Sequence, residues 1–398
     1  MSTLHGGDRV IGERTDRPDV PVTLSNWQAP DQVSWTFRHM SQLFPSAVIA
    51  RGEGPAPQVP AHPQPLGDVR LPDGRTVSDV LSSTETAGWM VLHGGRVLAE
   101  HYDTGMGPAS PHLLMSVSKT VVGLLVGALV DRGVLHPQTL VADVVPELRL
   151  SGYSGATVRH LLDMRSGIRF SEDYLDPTAE VRVLEQAFGW APRLSDDVPY
   201  TLRGFLAGLT AKSAHGGPFE YRSCETDILG WVCEAVTGQR FPELVSQLVW
   251  APMGAQFDAS VGVDIEGSSM FDGGISATLG DLARMGLVLL QDGVSVSGQQ
   301  VVSASWVHDT VIGDPDSRDA FAASPGDNRM PGGAYRNQVW VPRPGLLLCL
   351  GIHGQMVYVN RSTGLVAAKL SAWPYPQDAW RLFSTVDAFD AIGAHLQP

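Results

Sequence analysis

Lysine is almost missing from this chain: 398 residues contain three, at positions 119, 212 and 369. No basic run exists, and the formal net charge is −14. Phosphate groups are held by clustered Lys and Arg, so nucleic acid and anionic membrane surfaces are excluded as partners. Cysteine is as scarce. Cys224, Cys233 and Cys349 are odd in number and lack C-x-x-C spacing, which argues against a disulfide framework and a zinc site. Long apolar runs are missing too. The best candidate, "VVGLLVGALV", is about half the length a bilayer span needs and reads as a buried helix. The opening "MSTLHGGDRVIGERTDRPDV" has no apolar core of the kind a secretory signal requires. A soluble, cytoplasmic protein is the expectation.

What is present is ordinary globular material: 43% hydrophobic and 18% charged residues, enough chain for one large or two ordinary domains. Residues 1–75 are rich in Pro, Gly and polar residues and read as irregular. "GWMVLHGGRVLAEHY" reads as a hairpin, with His93 a polar turn residue. Residues 140–250 alternate helical patterns with loops. Within them "TVRHLLDMRSGI" and "TDILGWVCEAVTGQR" are helices, as is the later "GGISATLGDLARMGLVLLQDG". "QVWVPRPGLLLCLGIHGQMVYVNRSTGLVAAKLSAW" reads as a three-strand meander with "RSTG" as its clearest turn, followed by a closing helix. The order predicts an α/β fold: an antiparallel sheet flanked by helices and built from both chain ends (1–145 and 286–398), with a mainly α domain (146–285) inserted. The active site is expected in the cleft between them.

One of the rare lysines stands at the head of the most apolar segment, in "LLMSVSKTVVGLLVGALV". Ser116 and Lys119 are three apart, so one helical turn puts them on the same face. Ser118 is the competing hydroxyl, adjacent to Lys119 and facing away. A lysine pressed into apolar surroundings has a lowered pKa and can take a proton from a serine hydroxyl. The amide donors at a helix start can stabilise an oxyanion. Alternatively the serine is only a helix cap. By chance alone a Ser-x-x-Lys arises roughly one time in four at this composition, so context has to decide.

That context is the ordered set "LLMSVSKTVVGLLVGALVDRGVL", "TVRHLLDMRSGI", "FEYRSCETDILGWVCEAVTG" and "GGISATLGDLARMGLVLLQDG". Together, over roughly residues 85–375, they resemble the serine β-lactamase-like family. It embraces class C β-lactamases, D-alanyl-D-alanine carboxypeptidases, family VIII carboxylesterases and 6-aminohexanoate-dimer hydrolases. "SNWQAP", "HLLMSVSK", "EDYLDPTAEV", "GIHGQ" and "KLSAWP" look most like the last branch.

The resemblance implies roles. Ser116 would be the nucleophile, Lys119 its base and Tyr221 of Tyr221-Arg222-Ser223 the proton relay. The rival Tyr335-Arg336-Asn337 sits on a strand rather than before an amphipathic helix. The third motif is degenerate, with registers at Cys349-Leu350-Gly351 and His353-Gly354-Gln355. The first is preferred and makes the backbone N–H groups of Ser116 and Ile352 the oxyanion hole. Losing the family's lysine there argues against β-lactams and peptide carboxylates as substrates. Substrate contacts are expected from Tyr174, Glu185 and Trp190 on the loop "SEDYLDPTAEVRVLEQAFGW", and from Asp272 and His353. Glu185 would meet a substrate ammonium. No metal or organic cofactor is implied. The expected substrate is a small-molecule amide or ester, and a homodimer stays open. The rivals are a carboxylesterase with little amidase activity and a catalytically silent binding protein of the same fold.

Overall fold

The computed structural model describes residues 20–397, so residues 1–19 of the stretch expected to be irregular lie outside the described residues. A seven-stranded antiparallel sheet forms the centre. Edge to edge it runs Arg96–Tyr102, Thr86–His93, Leu365–Ser371, Gln355–Asn360, Leu346–Gly351, Val339–Arg343 and Ala334–Arg336. Early and late chain therefore meet at the pairing of Thr86–His93 with Leu365–Ser371.

Local chemistry accounts for the turns. Gly94 and Gly95 join the first hairpin at φ 56° and 72°, two positive values that a two-residue type I′ turn demands. His93 Nε2 lies 3.0 Å from Thr363 O, tying that turn to the "RSTG" turn between Gln355–Asn360 and Leu365–Ser371. The carboxy-terminal region holds four strands where three were expected. Pro344-Gly345 makes an additional turn, with Gly345 at φ 77°.

The middle strands are buried on both faces, which is why they read as continuous apolar runs. Val357 and Val359 point into one core, shared with helices Val117–Asp131 and Leu279–Leu290. Met356 and Tyr358 point into the other, under helices Val77–Ser83 and Ala379–His395.

Several expectations are corrected. Leu279–Leu290 is a helix capped by Thr278, but the "ISA" before it is a strand, Ile275–Ala277. With Ser46–Ile49, Ala259–Gly262 and His112–Leu113 it builds a second, small sheet whose two- to four-residue strands are too short for periodicity to register. The stretch taken as a loop contains helix Glu180–Phe188, ended by Gly189 at φ 94°. Its buried face, Val181, Leu184 and Phe188, has helical spacing. The domain boundary expected at 285/286 falls inside Leu279–Leu290. At Gly286 a Cβ would stand 2.5 Å from Val366 Cγ1, so this helix packs directly on the sheet.

Candidate active site

Ser116 occupies the N-cap position of helix Val117–Asp131, yet its side chain makes no capping bond. Its Oγ instead accepts a hydrogen bond from Lys119 Nζ at 2.9 Å. The preceding Met115 has φ 48°, an uncommon left-handed conformation for a non-glycine residue, immediately before the serine. Ser118 is buried and accepts from the Ile275 N–H at 3.2 Å, a structural bond.

Lys119 is 1% exposed and faces four acceptors: Ser116 Oγ, Ser223 Oγ at 3.0 Å, Asp272 O at 3.0 Å and Asp272 Oδ2 at 3.2 Å. The sequence predicts a lysine made neutral by burial. Burial is indeed the largest single influence and lowers the pKa. The summed attraction of Asp272, then Tyr221, Glu172 and Asp227, outweighs it and holds the pKa above the ordinary lysine value. Lys119 rests here as a cation.

Asp272, expected to contact substrate, has its carboxylate oxygen Oδ2 paired with Lys119. Behind it lies Asp227, whose Oδ1 accepts the Asp272 N–H at 3.0 Å. Burial, then the Asp272 charge, pushes the Asp227 carboxyl well up. The two carboxyls thus crowd one buried site, where each disfavours the charge of the other.

Tyr221 stands just before helix Ser223–Thr237, stacked on Trp340 with centroids 5.4 Å apart and planes at 20°. Lys119 Nζ lies 5.3 Å from its ring centroid, and its phenol bonds to the Ser116 side chain. Burial raises the phenol pKa, and the Lys119 charge pulls against that rise. The rival motif is elsewhere: Arg336 pairs with Asp163 and Asp309, and Asn337 bonds Asp309 and Thr310.

The strand Leu346–Gly351 brings Gly351 against the serine. A Cβ there would lie 2.4 Å from Leu114 O and 3.1 Å from Met115 Cβ, so only glycine lets this strand approach. That close approach fits the register Cys349-Leu350-Gly351 and sets Ile352 beside Ser116. His353, expected to contact substrate, sits behind this strand turn. It is buried, its Nδ1 lies 2.7 Å from Trp373 O, and burial lowers its pKa to about 4, which keeps it neutral.

Two hollows meet at Ser116. A cleft of about 790 Å³ is lined largely by apolar side chains such as Phe219, Trp340, Leu350, Met356 and Phe383. A small cavity of about 40 Å³ is lined by Met115, Leu184, Glu185, Trp190, Met270 and Asp272. Ser116, Tyr174 and Ile352 border both. The structure thus brings Ser116, Lys119, Tyr174, Tyr221, Asp272 and Ile352 together. Glu185 reaches the smaller cavity with its carboxylate already held by Arg182 at 2.8 Å and Gln28 at 3.0 Å. It is not poised for a substrate ammonium. Trp190 borders the same cavity but is 5% exposed and packed on Trp27, Phe44 and Phe188, a core residue rather than a closing lid.

Sequence reasoning missed Glu172 and Asp227, and it named Ser223 only as the end of the Tyr221-Arg222-Ser223 motif, with no role of its own. Ser223 and Asp227 are four apart on one helix, a spacing that shares a face. Glu172 is two before Tyr174, whose hydroxyl donates to its Oε1 at 2.5 Å. Among the described residues no group of three His, Cys, Asp or Glu is arranged to hold a metal ion. No described helix is long and apolar enough to cross a membrane.

Known proteins resemble this chain. The family profile Beta-lactamase matches residues 75–385. The 6-aminohexanoate-dimer hydrolase of Paenarthrobacter ureafaciens is 39% identical over 359 residues, 89% of either chain. A Bacillus anthracis structure with the provisional designation 6-aminohexanoate-dimer hydrolase superposes with TM-score 0.86 at 23% identity, covering 94% of this chain and 97% of that one. A family VIII carboxylesterase superposes with TM-score 0.60 at 15% identity, covering 85% and 99%. Those two structures bear on the fold alone, whereas the profile match and the Paenarthrobacter relative establish the family: this chain is a serine hydrolase belonging to the beta-lactamase family.

Proposed function

We propose that the protein cleaves linear amides of the 6-aminohexanoate-dimer type and short-chain esters through an acyl-enzyme on Ser116. The observation that carries this reading is the 2.9 Å bond between Lys119 Nζ and Ser116 Oγ where the two hollows meet. Ser116 attacks the carbonyl carbon and its proton passes to Lys119 in its neutral amine form, after Lys119 has given up the proton it holds at rest. The N–H groups of Ser116 and Ile352 hold the oxyanion, each such donor lowering the barrier by roughly 3 kcal/mol. Tyr221 delivers a proton to the departing amine or alcohol, and water then cleaves the acyl-serine. Ser116 and Ile352 come from the sheet-bearing part of the chain and Tyr174 and Tyr221 from 146–285, which we read as two units closing on the substrate.

A second reading, a carboxylesterase with little amidase activity, is favoured by one observation. Glu185 is neutralised by Arg182 and has no free charge for a substrate ammonium. Turnover of a short-acyl p-nitrophenyl ester, a linear 6-aminohexanoate dimer, a cephalosporin and a D-Ala-D-Ala peptide, with Ser116→Ala as control, separates these readings. Ester and dimer turnover abolished by Ser116→Ala is expected. Turnover by Ser116→Ala equal to wild type would overturn the nucleophile, and turnover of the ester alone selects the second reading.

A further inference from the structure

A base that rests as a cation must lose a proton before it can accept one from Ser116. The structure offers that proton a path. Lys119 Nζ donates to Ser223 Oγ at 3.0 Å, and the Ser223 hydroxyl donates to Glu172 Oε1 at 2.5 Å. Both bonds run the same way, from ammonium to carboxylate, as a relay requires. Glu172 is fixed at the end of it. The Ser223 N–H donates to Oε2 at 3.0 Å and the Tyr174 hydroxyl to Oε1 at 2.5 Å. Glu172 also lines the cleft beside Ser116.

Resting on the reading of Ser116 as nucleophile and Lys119 as base, we propose that Glu172 is the proton store of this site, reached from Lys119 through the Ser223 hydroxyl. In the transfer an Nζ–H bond breaks as an O–H bond forms on Ser223. The original Ser223 O–H breaks as one forms on Glu172 Oε1. Lys119 is left with a lone pair, the two charges cancel, and no outside acid or base takes part. A dry site favours the neutral pair, because burial disfavours both charged partners.

The titratable groups facing Glu172 are Lys119 from its helix, Tyr174 from its own segment, and Tyr221 and Cys224 from the start of helix Ser223–Thr237. Asp227 and Asp272 act on Lys119 at the near end of the path. Burial, the largest influence, raises the Glu172 pKa, while Lys119 and the bonds from Ser223 and Tyr174 restrain that rise. Glu172 acts through Ser223 and is thus a positioning residue for the proton.

The test is the pH profile of kcat/KM for a short-acyl ester. In the wild type only the doubly protonated Lys119–Glu172 pair is inactive, so the acid limb follows Glu172. In Glu172→Gln the lysine must shed its proton to bulk water. The acid limb then moves alkaline, towards the raised Lys119 value, and neutral-pH activity falls about 100-fold. Ser223→Ala breaks the path and shifts the limb the same way, and Ser223→Thr restores it. Thermal melting identifies which variants are folded, and the Ser223 pair carries the test if Glu172→Gln is not. A wild-type acid limb in folded Glu172→Gln or Ser223→Ala overturns the proposal even if Ser116→Ala is inactive. Turnover surviving in Ser116→Ala overturns the underlying reading instead.

Discussion

Lys119 and Asp272 form a buried ion pair, Nζ to Oδ2 3.2 Å, directly behind the hydroxyl of Ser116. Their side chains are 1% and 12% exposed, so solvent screens the pair little.

Asp272→Asn is therefore expected to help the reaction and harm the fold. Removing the carboxylate lowers the raised Lys119 pKa, so a neutral lysine is available at lower pH. The neutral Lys119–Glu172 pair becomes more populated, so the rate above the acid limb rises by about tenfold per unit by which the Lys119 pKa falls. Breaking a buried pair costs roughly 3 kcal/mol, visible as a lower melting temperature. An unchanged neutral-pH kcat/KM in folded Asp272→Asn would show that Asp272 does not set the charge of Lys119.

Gly351→Ala is expected to fail on both counts. The new Cβ meets Leu114 O at 2.4 Å, and the strand must retreat from the serine. Overpacking of this kind costs about 1–3 kcal/mol in denaturant titration. Displacing the Ile352 N–H lowers kcat by about 100-fold. Near-wild-type kcat in Gly351→Ala would remove Ile352 from the oxyanion hole.

Arg182→Met should unmask Glu185. The guanidinium bonds both carboxylate oxygens, and the two side chains are 20% and 15% exposed. With Arg182 gone, Glu185 can meet a substrate ammonium, and KM for the 6-aminohexanoate dimer falls by about fivefold, the value of a ~1 kcal/mol ion pair. KM for an uncharged ester stays put. Equal changes for both substrates would mean that the loss acts through the Tyr174 carbonyl, which Arg182 also holds.

Lys369 makes the opposite case to Lys119. It is fully buried on the central strand Leu365–Ser371, with Thr84 O at 3.3 Å and the Trp373 ring centroid at 5.1 Å. Burial, then the Arg381 charge, drives its pKa well below 10.5. A base whose folded pKa lies below its unfolded one costs stability at all pH values below the unfolded value, and nothing above it. Lys369→Met should raise stability at neutral pH by about 1–3 kcal/mol. That gain should fade as pH climbs towards 10.5. A gain independent of pH would show that packing, not charge, is responsible.

Much of this was legible in the sequence wherever the cause is local. The pitch of a helix puts Ser116 and Lys119 on one face, and Gly94-Gly95 specifies its own turn. The near-continuous apolar runs "QMVYVN" and "LVAAKLS" mark strands buried on both sides. The Arg182–Glu185 pair was local too, at i and i+3, but stayed hidden because its helix begins among Asp, Pro and Thr and was read as a loop. The charge of Lys119 was of another kind. Burial alone predicts a neutral amine, and the sequence contains the burial. It does not contain the folding back of Asp272, 153 residues away, onto the same nitrogen. Nor does it contain the convergence of Glu172, Ser223 and Asp227 on that point. Local periodicity put Ser116 and Lys119 on one face, the family resemblance gave them and Tyr221 their expected roles, and only the tertiary structure decided the protonation of the site, because electrostatic energy depends on distances in space that sequence separation does not encode.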